Sequence, residues 1–294
     1  MFDEIVFNIH EFIWGWPFIV LLLSAHIFFT IRTRFIQRKI FSAIKVSFSR
    51  KHGTEDGDIS PLSSLCASLS ATIGPGNIVG VTTAIITGGP GAVFWLWIAG
   101  FLGLATRYCE SLSAVRYRVK QDDGHYIGGA MISWIRAFGH RSAPLSNIAY
   151  FMSMFFCLAC VIYTFGSICP IMSNNISTAM SFVFPSIPVW VYGVSLAVIF
   201  LVISFSGIKI IANVSKVIVP FMALIYIVLC INILVIFIPY VIPALLTIVQ
   251  TAFVPQAAFG GALGSWIHVA LQYGVARGMY SNEAGVGTAP IFAA

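Results

Sequence analysis

The sequence contains very little charge. Only 9% of its 294 residues are Asp, Glu, Lys or Arg, while 59% are hydrophobic; a soluble domain has about 25% charged residues. This shortage excludes a water-soluble fold. Several apolar runs reach the roughly 20 residues that a helix needs to cross the hydrocarbon core of a bilayer. The sequence therefore predicts an all-α protein built from polytopic transmembrane helices.

The apolar runs also lack the residues that membrane-embedded enzymes use. There is no His-Glu-x-x-His pattern, and the only histidines within predicted spans are His26 and His268, so an enzyme is the weaker alternative. The pair Cys157 and Cys160 has redox or zinc spacing, but no second pair accompanies it, which favours a packing role. Nothing suggests the repeated carbonyl filter of a channel. No cofactor is expected.

The hydropathy pattern predicts seven membrane spans. They lie at about 14–33, 64–88, 91–115, 146–170, 188–206, 213–237 and 257–290. Between the first two, the segment 38–50 alternates basic and apolar residues at helical spacing. This pattern is typical of an amphipathic helix on an anionic membrane surface, and equally of an ordinary loop helix.

Lys and Arg are absent from alternate connections between the spans. The connections around 88–91, 171–187 and 238–256 contain neither residue, whereas the other loops are basic. Because cytoplasmic loops hold the excess of Lys and Arg, we expect a multi-pass protein of the inner (cytoplasmic) membrane with its N-terminus outside. The net charge of +6 is accordingly interpreted as a topology signal, and no nucleic-acid partner is expected.

The second span contains an unusual turn, Thr72-Ile73-Gly74-Pro75-Gly76-Asn77. A proline donates no N–H and clashes with the preceding helical turn, and glycines permit unusual backbone angles, so the helix is expected to break here. Backbone groups freed at membrane depth need protein, water or a ligand to satisfy them. The break is therefore a candidate binding site, with a plain proline kink as the alternative.

A second break is predicted in the last span, at 278–290, where glycines, hydroxyls, an amide and a carboxylate occur together. Paired interrupted helices are a recognised feature of transporter sites. The candidate substrate-binding residues here are Tyr280, Ser281, Asn282 and Gly285.

Four charged residues away from the ends of the predicted spans need a reason, because charge is expensive in the bilayer. Arg277 and Glu283 belong to the second break, where they either brace the broken helix or take part in coupling. Arg107 lies one turn before Glu110 in the third span, and we expect these two side chains to form a structural ion pair, with a role in gating as the alternative.

Three stretches carry a family resemblance: 57–61 with 72–80, then 88–95, and finally 274–278 with 281–285. In this order they resemble the alanine/glycine:cation symporter family, the sodium:alanine symporters. The resemblance implies a five-plus-five inverted-repeat symporter fold with an extra N-terminal helix, and sodium-coupled transport of alanine or glycine. The implied partners are a small amino acid, sodium as the coupling ion and the lipid bilayer.

The resemblance also implies roles for the first break, which is similar to the broken first helix of neurotransmitter-type sodium symporters. The carbonyl of Thr72 and the side chain of Asn77 would hold sodium, and the amide of Gly76 would meet the substrate carboxylate. Thr72, Gly74, Gly76 and Asn77 are thus the substrate-binding candidates of this break. Since Pro75 has no N–H, the N–H of Asn77 is expected to replace that donor.

The chain departs from the family pattern at two side chains and in length. Met172 stands where the family has Gln, and Tyr280 where it commonly has Phe. The chain stops just after the second break, whereas the family continues through four more helices, so an incomplete second repeat is expected. The alternative function is a non-transporting fragment or split-gene product of such a carrier.

The repeat arrangement predicts three regions. Residues 1–60 hold the N-terminal transmembrane helix and the basic cytoplasmic amphipathic segment, 61–237 form the first five-helix repeat, and 238–294 begin the second repeat with its broken helix.

Overall fold

The computed structural model describes residues 4–5, 12–47, 61–122, 124–205, 208–253, 266–288 and 290–291, and these are almost entirely helical. The helices are α1 (Trp16–Arg32), α2 (Ile40–Ser47), α3 (Pro61–Thr72), α4 (Pro75–Gly88), α5 (Gly91–Arg116), α6 (Ala130–Phe138), α7 (Ala143–Tyr163), α8 (Cys169–Val183), α9 (Val189–Phe205), α10 (Ile208–Ile236), α11 (Ile238–Phe253) and α12 (Trp266–Asn282). The all-α prediction is confirmed. The one departure in this part of the chain is an antiparallel ribbon in which β1 (Val119–Lys120) pairs with β2 (Tyr126–Ile127).

The predicted break in the second span is confirmed. Helix α3 ends at Thr72, Ile73 and Gly74 form a bend, and α4 begins at Pro75. Proline is well suited to the first position of a helix, because its missing N–H would have no intrahelical partner there. The same residue that ends one helix therefore starts the next.

The helix that begins at Ala143 is longer than predicted. The hydropathy pattern predicts that this span ends at 170 and that 171–187 is a connection, but α7 continues through a π-helical turn, Thr164–Ile168, into α8, which ends at Val183. Pro170 lies in the first turn of α8, immediately after the wide turn. A π-turn removes the regular i→i−4 pattern, so a proline that follows it need not end the helix. The prediction of a connection here was wrong.

The predicted connection 238–256 is also helical over most of its length, since α11 spans Ile238–Phe253. Its Pro239 is the second residue of the helix, where proline costs little. The C-terminal end of α11 packs on α5: the indole Nε1 of Trp95 donates to the carbonyl oxygen of Ala252 at 3.2 Å, and the Phe94 and Phe253 rings lie 5.0 Å apart. This packing stabilises a helix where the hydropathy pattern predicts a connection, so that prediction was wrong for Ile238–Phe253.

Three helical stretches in the described residues are long and apolar enough to cross a membrane: Gly91–Tyr117, Ala143–Val183 and Ile210–Ile236. A fourth is obtained if Trp16–Arg32 and Ile36–Ser47, which meet at a 61° bend, count as one span. Of the other predicted spans, 64–88 is broken, 188–206 contains a 17-residue helix, and 257–290 is described only from Trp266. The multi-pass membrane character is confirmed.

The amphipathic segment predicted at 38–50 is helical as far as it is described. A 3-10 turn, Ile36–Lys39, leads into α2, and the rest of the segment lies outside the described residues. Helix α2 has no buried residue, and Phe41 is 81% exposed. Both interpretations of the segment, a membrane-surface helix and a loop helix, remain open.

The chain divides into two compact units. The first unit comprises Met1–Phe41, Gly76–Cys109 and Ala223–Gly285, and the second comprises Ser42–Pro75, Glu110–Met222 and Val286–Ala294. The core of the first unit is built from α1, α5 and α12 by Ile19, Leu22, Ala99, Val275 and Met279. The three regions 1–60, 61–237 and 238–294 are defined by the expected inverted repeat and not by compactness, and they stay a prediction.

Buried polar side chains also join α1 to α5 in the first unit. His26 is fully buried, and its Nδ1 shares a hydrogen bond of 2.7 Å with the hydroxyl of Thr106. Further along, the Gln37 amide donates to the hydroxyl of Thr30 at 3.0 Å and to the carbonyl of Phe101 at 3.2 Å. Because buried polar groups are costly unless paired, these hydrogen bonds favour one position of α1 relative to α5.

Candidate functional site

The hydroxyls at the end of α3 bond within the second unit. Thr72 donates to the carbonyl oxygen of Ser68 at 2.9 Å, and Ser70 donates to that of Ala67 at 2.7 Å. Ser215 of α10 donates to the Ser70 hydroxyl at 3.4 Å. The side chain of Thr72 thus folds back on its own helix. The predicted role of its carbonyl as a sodium ligand stays a prediction.

Gly74 of the first break packs against Met172 of α8. A methyl group at Gly74 would lie 3.2 Å from Met172 Cε and 3.6 Å from its sulfur. The thioether therefore covers this side of the bend, at the position where the family resemblance implies the polar side chain of Gln. An apolar, flexible side chain consequently lines the first break.

The start of α4 lies in the first unit and presents Gly76 and Asn77 in its first turn. Asn77 is half-buried, while the surroundings of Gly76 lie outside the described residues. The first N–H groups of a helix have no intrahelical acceptor and form the positive end of its dipole. This end of α4 therefore favours a negatively charged or carbonyl oxygen.

Helix α12 runs antiparallel to α4. At one end, a methyl group at Gly88 would lie 3.4 Å from both Cα of Ala270 and Cβ of Tyr273. At the other, a methyl group at Gly80 would lie 3.8 Å from Cδ of Arg277. Asn77 is one turn before Gly80, and the segment 281–282 is one turn after Arg277. The start of α4 and the end of α12 thus lie at the same end of the first unit.

Helix α12 also packs closely on α5 through two glycines. A methyl group at Gly274 would overlap the carbonyl oxygen of Ala92 and would lie 2.8 Å from Cβ of Trp95. One turn later, a methyl group at Gly278 would lie 3.1 Å from Cβ of Ala99. Small residues four apart allow two membrane helices to approach closely. The helix that leads into the second break is therefore held tightly along α5.

The second break begins where α12 ends at Asn282. Glu283 has φ of 52° and Gly285 has φ of 95°, both in the left-handed region. The side-chain Oδ1 of Asn282 accepts a hydrogen bond from the N–H of Ala284 at 2.9 Å. The Nδ2 atom of Asn282 is buried and has no hydrogen-bond partner among the described residues. A methyl group at Gly103 would lie 3.0 Å from this nitrogen. A methyl group at Gly285 would lie 3.1 Å from Cδ1 of Leu22.

Arg107 of α5 contacts the second break. One guanidinium nitrogen donates to the carbonyl oxygen of Glu283 at 3.3 Å, and the other lies 3.9 Å from the Glu283 carboxylate. The sequence spacing predicts that Arg107 pairs with Glu110 and indicates no role for it at the break. The two partners are 176 residues apart, so no local pattern indicates the contact. Arg107 and Glu283 thus meet at the second break, and both roles predicted for Glu283, bracing and coupling, stay predictions.

Several predicted site residues are thus collected at one end of the first unit: Asn77, Arg277, Ser281, Asn282 and Glu283. Thr72 and Gly74 belong to the second unit, and the side chain of Tyr280 lies outside the described residues. The polar groups at this end are the N–H groups of a helix N-terminus, the carbonyl oxygens of a helix C-terminus, amides and a hydroxyl. Such groups bind a carboxylate at the helix N-terminus and an alkali cation at freed carbonyls.

Groups that would hold a transition metal are not assembled in the described residues, where no cluster of three or more His, Cys, Asp or Glu occurs. None of the six cysteines, all of which lie in the described residues, forms a disulfide. Cys157 and Cys160 lie on α7, consistent with small residues of a membrane helix.

The chain matches the sodium:alanine symporter family over residues 1–294. An uncharacterized transporter of Haemophilus influenzae is 43% identical over 294 residues, a region that covers 99% of this chain and 62% of that protein. The protein named sodium/alanine symporter AgcS, from Methanococcus maripaludis, is 39% identical over 295 residues, covering 100% of this chain and 63% of that protein. The protein named "Probable sodium/glutamine symporter GlnT", from Bacillus subtilis, is 35% identical over 294 residues, covering 99% and 58%.

The chain therefore spans about three fifths of the length of these relatives. The relatives are named transporters, and none of these three is named an enzyme. The match over the whole chain, together with the broken helix in its expected place, shows that this protein belongs to the sodium:alanine symporter family.

Proposed function

We propose that this protein acts in the secondary active transport of a small neutral amino acid, alanine or glycine, coupled to sodium. The observation that carries the proposal is the match to the sodium:alanine symporter family over residues 1–294. A named sodium/alanine symporter among the relatives supports the same substrate class. Proton coupling and the larger substrate glutamine are the rival assignments to be tested.

Contacts at the first break favour a small substrate. Met172 covers the side of the bend at Gly74, and a single methyl group there would already lie 3.2 Å from its Cε. A ligand that approaches the backbone of Gly74 on this side meets the thioether of Met172. Alanine and glycine need no polar partner for their side chains, whereas the amide of glutamine does.

The proposed binding groups lie at both breaks. Thr72, Gly74, Gly76 and Asn77 would contribute from the first, with the Thr72 carbonyl and the Asn77 side chain as sodium ligands. The second would contribute Tyr280, Ser281, Asn282 and Gly285. The positive end of α4 suits a substrate carboxylate, and the carbonyls at the end of α12 suit a cation.

The proposed setting is the inner membrane, with the N-terminus outside and the basic segment before α3 on the cytoplasmic side. The family resemblance further supports a five-plus-five inverted repeat preceded by one extra helix. Alternating access in such a fold moves one repeat against the other, so it uses helices from both repeats.

Uptake by purified protein in liposomes tests the function. We would compare the 294-residue chain with the same chain extended by the C-terminal part of the Methanococcus relative that it does not cover. Labelled alanine uptake is measured under a sodium gradient, under a matched potassium gradient and under a proton gradient. We expect the extended protein to take up alanine only with sodium. Uptake that follows the proton gradient, or competition by glutamine and not by glycine, would overturn the assignment.

The same comparison tests the alternative function, a fragment that does not transport. If the extended protein is active and the 294-residue chain is inserted but inactive, the additional segment supplies a necessary part of the carrier. Sodium-dependent uptake by the 294-residue chain alone would reject that alternative. Membrane content is measured in both preparations, because each helix satisfies its own backbone and inserts without the others.

A further inference from the structure

We propose that Arg107 is a positioning residue that sets the conformation of the second break, and through it the sodium affinity of the site. The predicted effect of Arg107 on sodium affinity rests on the proposed function. The predicted effect on the conformation of the second break does not, because it concerns a contact between α5 and the segment after α12. We assign Arg107 no contact with substrate or cation, since it acts through Glu283.

One face of α5 carries the groups that hold the second break. Gly100, Gly103 and Arg107 are spaced three and four residues apart, so their side chains share one side of the helix. A methyl group at Gly103 would lie 3.0 Å from the amide nitrogen of Asn282 and 3.1 Å from Cβ of Ala284. The glycines therefore let the end of α12 approach α5 at the height where Arg107 meets Glu283.

The backbone of Glu283 is in a conformation that needs support. Its φ of 52° lies in the left-handed region, which is unfavourable for a residue with a Cβ. The peptide N–H of Glu283 still donates to the carbonyl of Met279 at 2.7 Å, which closes the last turn of α12. The carbonyl oxygen of Glu283 accepts from Arg107. A cation thus stabilises both the left-handed residue and the negative end of the helix dipole.

The pair is partly shielded from solvent, with 21% of the Arg107 side chain and 14% of the Glu283 side chain exposed. An ion pair in this environment is screened less than one at a surface. Its geometry is asymmetric: the hydrogen bond goes to the backbone, and the carboxylate lies at the longer distance. Arg107 should therefore matter more than the Glu283 carboxylate, an order that a simple side-chain ion pair would not give.

Hydrogen–deuterium exchange of residues 279–288 tests the structural part, with wild type, Arg107→Met, Arg107→Lys and Glu283→Gln in the same detergent. Arg107→Met should raise exchange about tenfold, the effect of losing one charge-assisted hydrogen bond. Glu283→Gln keeps the backbone acceptor, so a smaller rise is expected. Arg107→Lys should rescue part of the effect, because lysine keeps the charge but not the guanidinium fork. Arg141→Gln, which changes an exposed arginine just after α6, is the matched control.

The functional part is tested in whichever protein, extended or not, transports alanine in the liposome assay. Arg107→Met should raise the sodium concentration for half-maximal uptake about tenfold while changing the maximal rate much less. A residue that only stabilises the fold would lower the amount of folded protein and leave that concentration unchanged.

The outcomes separate the two proposals. Unchanged exchange at 279–288 in Arg107→Met would overturn the positioning role, whether or not the protein transports. Raised exchange with unchanged sodium dependence would reduce Arg107 to a structural brace and overturn the inference about affinity. Absence of sodium-driven uptake by the wild type would overturn the proposed function and leave the exchange result standing.

Discussion

The two helix breaks are held in different ways. At the first break, neither Ile73 nor Gly74 has a left-handed backbone conformation. The neighbouring hydroxyls of Ser70 and Thr72 donate to carbonyl oxygens of their own helix. At the second, Glu283 and Gly285 are left-handed, and Arg107, Gly103 and Leu22 approach from other helices. The first break results from local chemistry, while the second depends on tertiary contacts.

This difference predicts which substitutions affect which break. A change within 72–76 should act on the first break through the chain itself. The second break should respond to changes on α1 and α5, far away in the sequence, because its unusual backbone is supported from there. Local exchange at 69–74 and at 279–288 reports on the two breaks separately.

The largest effect is expected from Gly274→Ala. The added methyl group would overlap the Ala92 carbonyl oxygen, so α12 must move away from α5, at a cost of about 3 kcal/mol. Thermal unfolding in detergent and exchange at 279–288 measure the loss. Gly193→Ala on α9 is the control, since nothing lies within 4 Å of a methyl group there. Equal stability of the two variants would contradict tertiary support of the second break.

Gly76→Leu should reduce alanine binding by about 30-fold while the protein remains inserted, because the side chain would fill the space where a small amino acid meets the backbone. Binding of labelled alanine to the transport-competent extended protein is the measurement. Gly193→Leu serves as the matched control. Retained affinity would mean that the first break is a structural kink and not a binding site.

His26→Leu should lower stability by about 2 kcal/mol, because the buried hydroxyl of Thr106 loses its partner. Removing both partners in His26→Leu with Thr106→Val should cost less than the sum of the single changes. The comparison of the breaks predicts faster exchange at 279–288 and unchanged exchange at 69–74. Additive single and double effects would show that the 2.7 Å hydrogen bond contributes little.

Asn77→Ala should raise the sodium concentration for half-maximal uptake about tenfold, since it would remove a side-chain oxygen from the proposed sodium site. Sodium titration of alanine uptake measures the change, and exposed Asn147→Ala on α7 is the control. An unchanged titration would remove Asn77 from the cation shell.

The smallest effect is expected from Gly74→Ala, about threefold in alanine affinity, because the Met172 side chain is flexible and yields to a methyl group. Met172→Ala should remove most of this penalty in the double variant. If Gly74→Ala weakens binding equally with and without Met172, the thioether does not line the site.

The sequence predicts the first break well because its cause lies within a few residues. A proline disfavours continuation of the helix that precedes it, and at Pro75 the flanking Gly74 and Gly76 let the chain bend. Other prolines do not mark a boundary in the same way: Pro170 and Pro239 lie in the first turn of a helix, where proline is tolerated, and Pro220 and Pro243 lie inside helices. A proline alone therefore does not locate a helix boundary.

The sequence places the second break but not its supports. Glycines, Asn282 and Glu283 indicate an irregular segment, and the helix does end at Asn282. The partner of Glu283 is 176 residues distant, and a single sequence contains no signal that joins the two. The sequence spacing favours the nearer pair, Arg107 with Glu110, and that pair stays a prediction.

The wide turn Thr164–Ile168 determines which side chain covers the first break. A π-turn holds one residue more than the α-turn it replaces, so this segment acts as a one-residue insertion in a continuous helix. Deleting a residue here, such as Gly166, would let the helix continue as α and rotate everything after it by about 100°. Met172 would then leave the face that meets Gly74. The side chain that lines the first break thus depends on the rotation of α8 about its own axis as well as on the residues of α8.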